Sequence, residues 1–360
     1  MKEQGMTIKG SIVKSLLSLM LCGGMALFAN SAFARSGSGV ELSKSGDNYG
    51  IIAQVEEATG KIFSGMIFVV DSSSTLDRDV AANGSFRRPF TTIDYAIGRA
   101  SARTANTNPA ANSGSLILVL PGHTETAIDA ADEIDADLAG LTVWGVGSGS
   151  ERPTLTFTGA AGEFTIGADN TTVGNIRFLS SITDVLKAIN VEDSVNDPRI
   201  INCWFGVDAS GTDEFTDVIN LAGHNDRFVI EGNIIEMRQG GSEIGINIDN
   251  VCASGTIKNN IIRGDYSTAN ISGDTTLSTS ILIEDNLLVN GIGGNLNAQP
   301  AIELLTGTTG IISDNYIVCD ESTKAASIIA DTCLRFENYY NEHILTGTGG
   351  LIGTASSGIN

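Results

Sequence analysis

Six short segments of this chain repeat one pattern: an apolar residue, two mostly polar residues, usually an asparagine, and then apolar residues again. The equivalent positions, in chain order, are Ile176, Cys203, Asn233, Asn260, Asn286 and Asn315. Each step along this series is nearly the same length, and one further step backward reaches Val146, in a segment of the same character. A regular period of roughly 28 residues predicts a stacked solenoid. We expect at least seven coils over the part of the chain from about position 140 to position 320.

The residue types inside each repeat decide which kind of solenoid is expected. Each copy is a run of β-branched and aliphatic residues broken by Gly, Asn or Asp, and none contains ten residues of helical periodicity. Helical repeats are therefore excluded. Mixed Ile, Val and Phe, in place of regularly spaced leucines, also disfavour a leucine-rich repeat. The sequence predicts an all-β fold, a parallel β-helix of about seven to nine coils, roughly 35 to 45 Å long.

The recurring asparagine has a structural explanation. Stacked coils bring Asn233, Asn260, Asn286 and Asn315 into line about 4.8 Å apart, where their side-chain amides can form a hydrogen-bonded ladder. Asparagine also tolerates the left-handed conformation, which we expect these residues to adopt at the bend between two strands. The ladder is predicted to be structural and not catalytic. The apolar residues beside it, such as Ile261, are predicted to point into the stack.

The N-terminus has the form of a secretory signal peptide. Lys9 and Lys14 precede an apolar run over residues 16–28, and Ala32-Phe33-Ala34 provides a small-x-small cleavage site. We therefore predict that residues 1–34 are a signal peptide or another removed segment. The mature chain is expected outside the cell or on its surface, without a membrane span, because the apolar run is shorter than the roughly 20 residues that crossing requires.

The chain is strongly acidic, with 21 Lys and Arg against 42 Asp and Glu. This balance disfavours nucleic acid and anionic lipid as partners. Four cysteines follow the predicted cleavage site, and an oxidising compartment would permit two disulfides. Cys319 and Cys333 are the expected pair because they are near in sequence, while Cys203 and Cys252 remain, the former at a ladder position.

The segment ahead of the repeats predicts a cap. Ile93, Ala96, Ile97 and Ala100 share one face of a short helix that Thr91 or Thr92 can cap. Three stretches carry a resemblance: Arg88-Pro-Phe-Thr-Thr-Ile-Asp-Tyr-Ala-Ile97, Ser115-Leu-Ile-Leu-Val-Leu-Pro-Gly-His-Thr-Glu125 and Val143-Trp-Gly-Val-Gly-Ser-Gly-Ser-Glu-Arg-Pro-Thr154. They resemble the pectate-lyase-like superfamily, and within it the branch of β-helix proteins encoded beside head genes of tailed phages. The resemblance implies a right-handed, single-stranded β-helix with a short N-terminal capping helix, in a virion component.

These features divide the chain into five predicted parts. They are the removed segment at residues 1–34, an N-terminal arm at 35–65, a cap of strand, loop and helix at 66–110, the β-helix at 111–345 and a C-terminal tail at 346–360. Three segments of variable length are predicted to project as loops and to carry recognition. They are residues 184–198, 208–217 and 264–279.

Catalytic and metal-binding residues are not evident. The polar positions beside the ladder show no stacked acidic trio: Arg177, Trp204, Glu231, Lys258, Glu284 and Ser313. His123, His224 and His343 lack metal-ligand spacing and are predicted to be solvated loop residues. No cofactor is implied, and calcium has only weak candidate ligands in two acidic loops that do not match an EF-hand. These ligands are Asp71, Asp77, Asp79, Asp132, Asp135 and Asp137.

The predicted function is therefore non-enzymatic. We expect a structural or surface-decorating protein, a head decoration or spike-like component if phage-encoded, with a polysaccharide or host surface as a ligand. Its protein partners are expected to be further copies of itself, with trimers suggested by analogy, or other virion or surface proteins. The alternative is a secreted polysaccharide lyase or hydrolase, because a carboxylate pair can assemble from distant coils.

Overall fold

The computed structural model describes residues 48–63, 65–73, 79–107, 114–127, 133–207, 213–237, 242–273, 275–291, 299–319, 327–342 and 356–359. One compact unit begins at Ile51, and of the unit before it only residues 48–50 are described. The predicted removed segment at 1–34 lies outside the described residues. Within the described part of the chain, no helix has the length and apolar character needed to cross a membrane.

The fold is a right-handed parallel β-helix, as predicted, in which each coil gives one strand to each of three sheets. The first sheet contains β1 (Ile67–Val70), β2 (Leu116–Val119), β5 (Thr142–Gly145), β8 (Thr172–Gly174), β11 (Arg199–Ile201), β14 (Val229–Glu231), β17 (Thr256–Lys258), β20 (Ile281–Glu284), β23 (Gly310–Ser313) and β26 (Leu334–Phe336). The second contains β3 (Thr124–Ala127), β6 (Thr154–Phe157), β9 (Arg177–Ser180), β12 (Trp204–Val207), β15 (Ile234–Glu236), β18 (Ile261–Gly264), β21 (Leu287–Asn290), β24 (Tyr316–Cys319), β27 (Asn338–Glu342) and β28 (Ser356–Ile359). The third contains β4 (Ile134–Ala136), β7 (Phe164–Ile166), β10 (Val185–Val191), β13 (Phe215–Leu221), β16 (Ile244–Ile248), β19 (Ala269–Gly273), β22 (Ile302–Leu304) and β25 (Ile328–Ile329).

The strand register reproduces the spacing of the sequence repeat. Arg199 pairs with Thr172 in the preceding coil and with Val229 in the following one, and Thr256 pairs with Leu282 one coil further on. Adjacent strands are parallel throughout, except that β28 runs antiparallel to β27. Among the described residues the third sheet has eight strands, so eight coils are complete, within the predicted range.

The core is a continuous apolar interior. Because side chains alternate across each strand, one residue in two points inward and stacks on its equivalent in the next coil. On the third sheet this inward column consists of Ile134, Phe164, Ile189, Ile219, Ile246, Ile271 and Ile302, each at most 1% exposed. Aromatic rings also stack from coil to coil, with the centroids of Phe178 and Phe205 4.9 Å apart.

Helix α1 (Asn48–Thr59) lies within the predicted arm. Its Val55 side chain is buried, and Arg199 on β11 donates a hydrogen bond to the Thr59 carbonyl. Just after the helix, Lys61 Nζ donates to the Asn170 carbonyl at 2.5 Å. These contacts place residues 55–61 against the coils of the β-helix.

A second helix covers the first coil, as predicted. Helix α2 (Ile93–Thr107) buries Ile93, Ala96, Ile97 and Ala100 to 1% exposure or less and packs on β1, β2 and β4. The hydroxyl of Thr92, of the two candidates, caps it by accepting a hydrogen bond of 3.3 Å from the Tyr95 amide.

The expectation of three projecting loops was wrong for part of each segment. Residues 185–191 form β10, residues 215–217 begin β13 and residues 269–273 form β19, all in the third sheet. These strands contain polar residues next to inward aliphatic ones, as in Ala-Asn-Ile-Ser-Gly. This mixture resembles a loop in composition, although it fits a sheet with one buried face.

Candidate functional site

The asparagine side chains form a chain of hydrogen bonds between coils. Each Nδ2 donates to the Oδ1 of the next asparagine, at 3.1 Å from Asn233 to Asn260, 3.0 Å from Asn260 to Asn286 and 2.9 Å from Asn286 to Asn315. Asn338, which the sequence repeat did not include, continues the chain at 3.0 Å. All five residues are at most 1% exposed, so the ladder is sealed from solvent and serves structure.

The left-handed backbone lies one residue before the ladder, not on it as predicted. Positive φ angles near 60° occur at Gly232, Asn259, Asp285 and Asp314. The bend needs the left-handed residue on the outside of the turn, and the following asparagine then turns its side chain inward. Asn, Asp and Gly tolerate this conformation best, which explains why these types precede the ladder.

The predicted inward orientation of Ile261 was also wrong. Ile262, with no exposed surface, points into the core, while Ile261 is half-buried on the outer face of β18. The inward Asn260 sets this order, since the next residue on the same face of the strand lies two positions later. Ile261 instead belongs to an outward column on the second sheet, the apolar column. It contains Trp204, Ile234, Ile261, Leu287, Tyr316 and Tyr339.

The polar positions beside the ladder fall on two different sheets. Glu231, Lys258, Glu284 and Ser313 are in register on the first sheet, and Lys258 Nζ lies 3.4 Å from a Glu231 carboxylate oxygen. Arg177 and Trp204 lie on the second sheet. The four residues on the first sheet carry negative, positive, negative and no charge in turn, and Glu231 and Lys258 are partly exposed. They form a solvated surface.

The calcium candidates are distributed over separate structural roles. Asp71 accepts hydrogen bonds from the amide and hydroxyl of Ser73, and Asp79 from those of Thr91. Asp137 accepts one from Ser101 at 2.9 Å. Asp77 and Asp132 lie outside the described residues. Among the described residues, no three His, Cys, Asp or Glu side chains are placed to share a metal ion.

Asp135 is a calcium candidate whose pKa is clearly raised. Partial burial, together with the nearby Asp137 and Glu133 carboxylates, raises its pKa to about 6. A further carboxylate, Glu192, lies close by. A Cβ atom added to Gly167 would be 3.0 Å from Glu192 Oε2 and 3.4 Å from Asp135 Oδ1. Proton uptake there relieves repulsion among these acids.

Acidification from about pH 7.5 to about pH 5 is expected to stabilise the protein through Asp135. With a folded-state pKa of about 6 against an ordinary value of 3.8, the folded state takes up a proton in this window before the unfolded state does. Stability is therefore lost as pH rises through about 6. Because the Asp135 side chain is exposed, solvent screening keeps the effect small. Melting curves of wild type and Asp135→Asn test this: the variant should show the weaker pH dependence, and equal slopes would contradict it.

The expected disulfide is not formed. Cys203, Cys252, Cys319 and Cys333 are all thiols and all buried. Burial raises the pKa of Cys203 and Cys252 to about 11, so neither is a reactive thiolate. They pack as small apolar residues of the core, whereas spacing in sequence alone had suggested the Cys319–Cys333 pair.

Of the two histidines in the described part of the chain, one is exposed and the other is buried. His224 is exposed, as predicted, beside Asp193. His123 is fully buried, contrary to prediction: its Nδ1 accepts from the Ser72 amide at 3.1 Å and its Nε2 lies 3.2 Å from Glu125. Glu125 also accepts from the Ile93 amide at the start of α2, so the histidine joins the cap to the first coil. His343 lies outside the described residues.

A row of polar residues on the outward face of the third sheet is the best candidate for a ligand site. Its members are in register, coil after coil: Asp135, Thr165, Asn190, Asn220, Asn247, Ser272 and Glu303. Asn190, Asn220 and Asn247 form its centre, the amide row. Asn220 is only 2% exposed although it does not belong to the apolar core. Neighbouring residues therefore cover this outward polar side chain.

The amide row leaves two acceptors without donors. Asn220 Nδ2 donates to Asn190 Oδ1 at 3.0 Å, but Asn247 Nδ2 donates to Asp217 Oδ2 at 2.9 Å. Asn220 Oδ1 and Asp217 Oδ1 are buried and have no hydrogen-bond partner among the described residues. A buried acceptor without a donor costs about 1–3 kcal/mol. Satisfying these acceptors requires a hydrogen-bond donor and a small movement of the side chains that cover the two oxygens.

Charged groups flank the amide row. Lys187 on β10 pairs in register with Asp217 on β13. Burial raises the pKa of Asp217, and the hydrogen bond from Asn247 opposes the rise. Burial likewise raises the pKa of Glu163, which Lys187 opposes. Two carboxyl groups with raised pKa near one lysine are typical of functional sites, although structural networks also produce them.

The sequence contains a signal for this site. The two intervals that separate Asn190, Asn220 and Asn247 are the same as those that separate Cys203, Asn233 and Asn260 in the ladder. Any second residue type that recurs with the period of a solenoid must form its own column. Only Asn190 lies in a segment that had been predicted as a loop, residues 184–198, and this assignment concealed the recurrence.

Comparison with models of known protein families gives no match, and comparison with curated proteins gives none either. The parallel β-helix is consistent with the pectate-lyase-like fold. Membership of the phage branch stays a prediction.

Proposed function

We propose that this protein is a non-enzymatic surface component whose β-helix is a rigid support that decorates a virion or a cell surface and binds a glycan through the amide row. The observation that carries the proposal is the pair of unpartnered buried acceptors, Asn220 Oδ1 and Asp217 Oδ1. Sugars present many hydroxyl donors, and sites built to bond them gain specificity from such acceptors.

Rigidity supports the structural part of the proposal. The ladder from Asn233 to Asn338 satisfies buried amides in successive coils, and apolar columns fill the interior. Each coil therefore fixes the position of the next, which suits a spacer or display element.

The apolar column supports self-association along a lateral face. Its six positions carry no charged side chain, and Tyr316 and Tyr339 are 43% and 51% exposed. In a chain of net charge −21, an uncharged column beside a neutralised Glu236–Arg263 pair is where two copies meet with less repulsion. A homo-oligomer, with a trimer as the state suggested by analogy, is part of the proposed function.

The proposal predicts where the mature protein is found. Mass spectrometry of purified virions and of cell-surface fractions should detect peptides from residues 51–342 in at least one of them. Peptides from residues 1–34 should be absent from the same material, because that segment is predicted to be removed. Detection only inside cells, with residues 1–34 still attached, would contradict the location.

A second candidate function is cleavage of a polysaccharide at the same face. Its specific support is the raised pKa of Asp217 and Glu163 beside Lys187, since a raised pKa is what a carboxyl group needs to act as a general acid toward a leaving group. This candidate requires new reducing ends, or ultraviolet absorbance from unsaturated products, and loss of both in Asp217→Asn.

A further inference from the structure

Two arginines meet at the turn between the first and second sheets, away from the amide row. Arg177 begins β9, and its amide donates to the Pro153 carbonyl at 2.8 Å. It pairs in register with Thr154, two residues after Arg152. The two side chains therefore leave neighbouring coils at the same corner of the β-helix.

Neither arginine has a carboxylate partner among the described residues. Arg227, Arg263 and Arg335 each form an ion pair. Arg152 and Arg177 form none in the same part of the chain, and the Nε atom of each is buried without an acceptor. Burial, and to a smaller extent Arg177, lowers the pKa of Arg152. The pair is thus a local concentration of positive charge in a chain that carries 42 acidic residues.

Trp204 fixes the orientation of Arg177. The guanidinium carbon lies 4.6 Å from the centroid of the indole ring, a cation–π contact. The indole in turn lies over Gly206, where an added Cβ would come within 2.4 Å of the ring. The next outward position in register is Ile234. The aromatic and aliphatic neighbours hold the guanidinium group without neutralising it.

The arginine pair is energetically unfavourable without a negatively charged hydrogen-bond acceptor. Two adjacent guanidinium groups repel each other, and each buried Nε donor costs free energy while it has no acceptor. An oxyanion offsets the repulsion, because a guanidinium fork matches two oxygens of a carboxylate, sulfate or phosphate group. A small reorientation of either side chain brings its buried Nε donor to such an anion. We propose that Arg152 and Arg177 form an oxyanion-binding site for such a group, supplied by a free ion or by an acidic glycan.

Isothermal titration calorimetry at constant ionic strength tests the site with sulfate, inorganic phosphate, galacturonate and a short oligogalacturonate. Wild type should show saturable binding of at least one probe. Arg152→Gln and Arg177→Gln should each weaken it by about tenfold or more, because each removes a charge-assisted hydrogen-bond donor. Arg263→Gln is the matched control, since Arg263 also faces outward on the second sheet but is paired with Glu236; it should bind as wild type does.

The probes separate the two sources of the anion. Tighter binding of oligogalacturonate than of the single ions indicates an acidic glycan, and equal or weaker binding indicates a free oxyanion. Circular dichroism establishes that each variant is folded, and Arg177→Lys, which keeps the charge but loses the fork, should bind at an intermediate level. The proposal is overturned if no probe binds saturably, or if both glutamine variants and Arg263→Gln bind as wild type does.

Discussion

Ile262→Asp is expected to abolish folding. The side chain of Ile262 has no exposed surface, and it stacks between Ile235 and Leu288 in the inward column of the second sheet. The substitution removes apolar burial worth about 1.5–3 kcal/mol and places a carboxylate in an apolar column, which costs several kcal/mol more. The sum approaches the whole stability of a typical domain, about 5–15 kcal/mol. Loss of the β-sheet circular-dichroism signal, or recovery only as aggregate, is the expected result.

Ile261→Asp is the matched control for this substitution. It introduces the same charge one residue earlier, on the outward face of β18, where Ile261 is half-buried. The carboxylate can reach water there, so the variant should fold and melt within a few degrees of wild type. If Ile261→Asp unfolds the protein and Ile262→Asp does not, the register of the second sheet is shifted by one residue.

Asn260→Ala is expected to destabilise the protein strongly without preventing folding. Asn260 Oδ1 accepts from the amide and the side chain of Asn233, and its Nδ2 donates to the Ile230 carbonyl and to Asn286. Alanine leaves several of these buried groups without partners, at about 1–3 kcal/mol for each group that stays unsatisfied. A loss of about 3 kcal/mol or more is expected in chemical denaturation.

Asn259→Gly is the control for the ladder. Asn259 has a φ of 56°, in the left-handed region that glycine adopts without strain, and its side chain is exposed. The variant should therefore unfold close to wild type. An Asn260→Ala variant as stable as Asn259→Gly would show that the ladder bonds contribute nothing net to stability.

The repeat made the architecture predictable, because its period determines coil spacing whatever the individual side chains are. The intervals at Asn233, Asn260 and Asn286 reappear as strand register, and the helical face at Ile93 and Ala96 caps the first coil. Whether each side chain points inward or outward was harder to predict. The assignment of Ile261 depended on which of two adjacent turn residues is left-handed, and asparagine fits either position.

The candidate ligand site on the third sheet could not be predicted from the sequence for a different reason. Asn220 and Asp217 lie on a strand that had been assigned in part to a loop, and their burial depends on neighbouring coils that no local pattern describes. The environment of His123 is likewise set by Ser72, 51 residues earlier in the chain. Periodicity predicts which residues share a column, but hydrogen-bond satisfaction and burial require the folded geometry.

The most direct test of binding without turnover is to measure both in one set of samples. The protein is incubated with a panel of neutral and acidic polysaccharides, and retention on the polymer is measured alongside reducing ends and ultraviolet absorbance. We expect retention on at least one polymer, no products, and at least about tenfold weaker retention for Asp217→Asn and Asn247→Ala, while Glu231→Gln on the first sheet retains wild-type binding. Product formation by wild type, or binding that survives both third-sheet substitutions, would contradict the account.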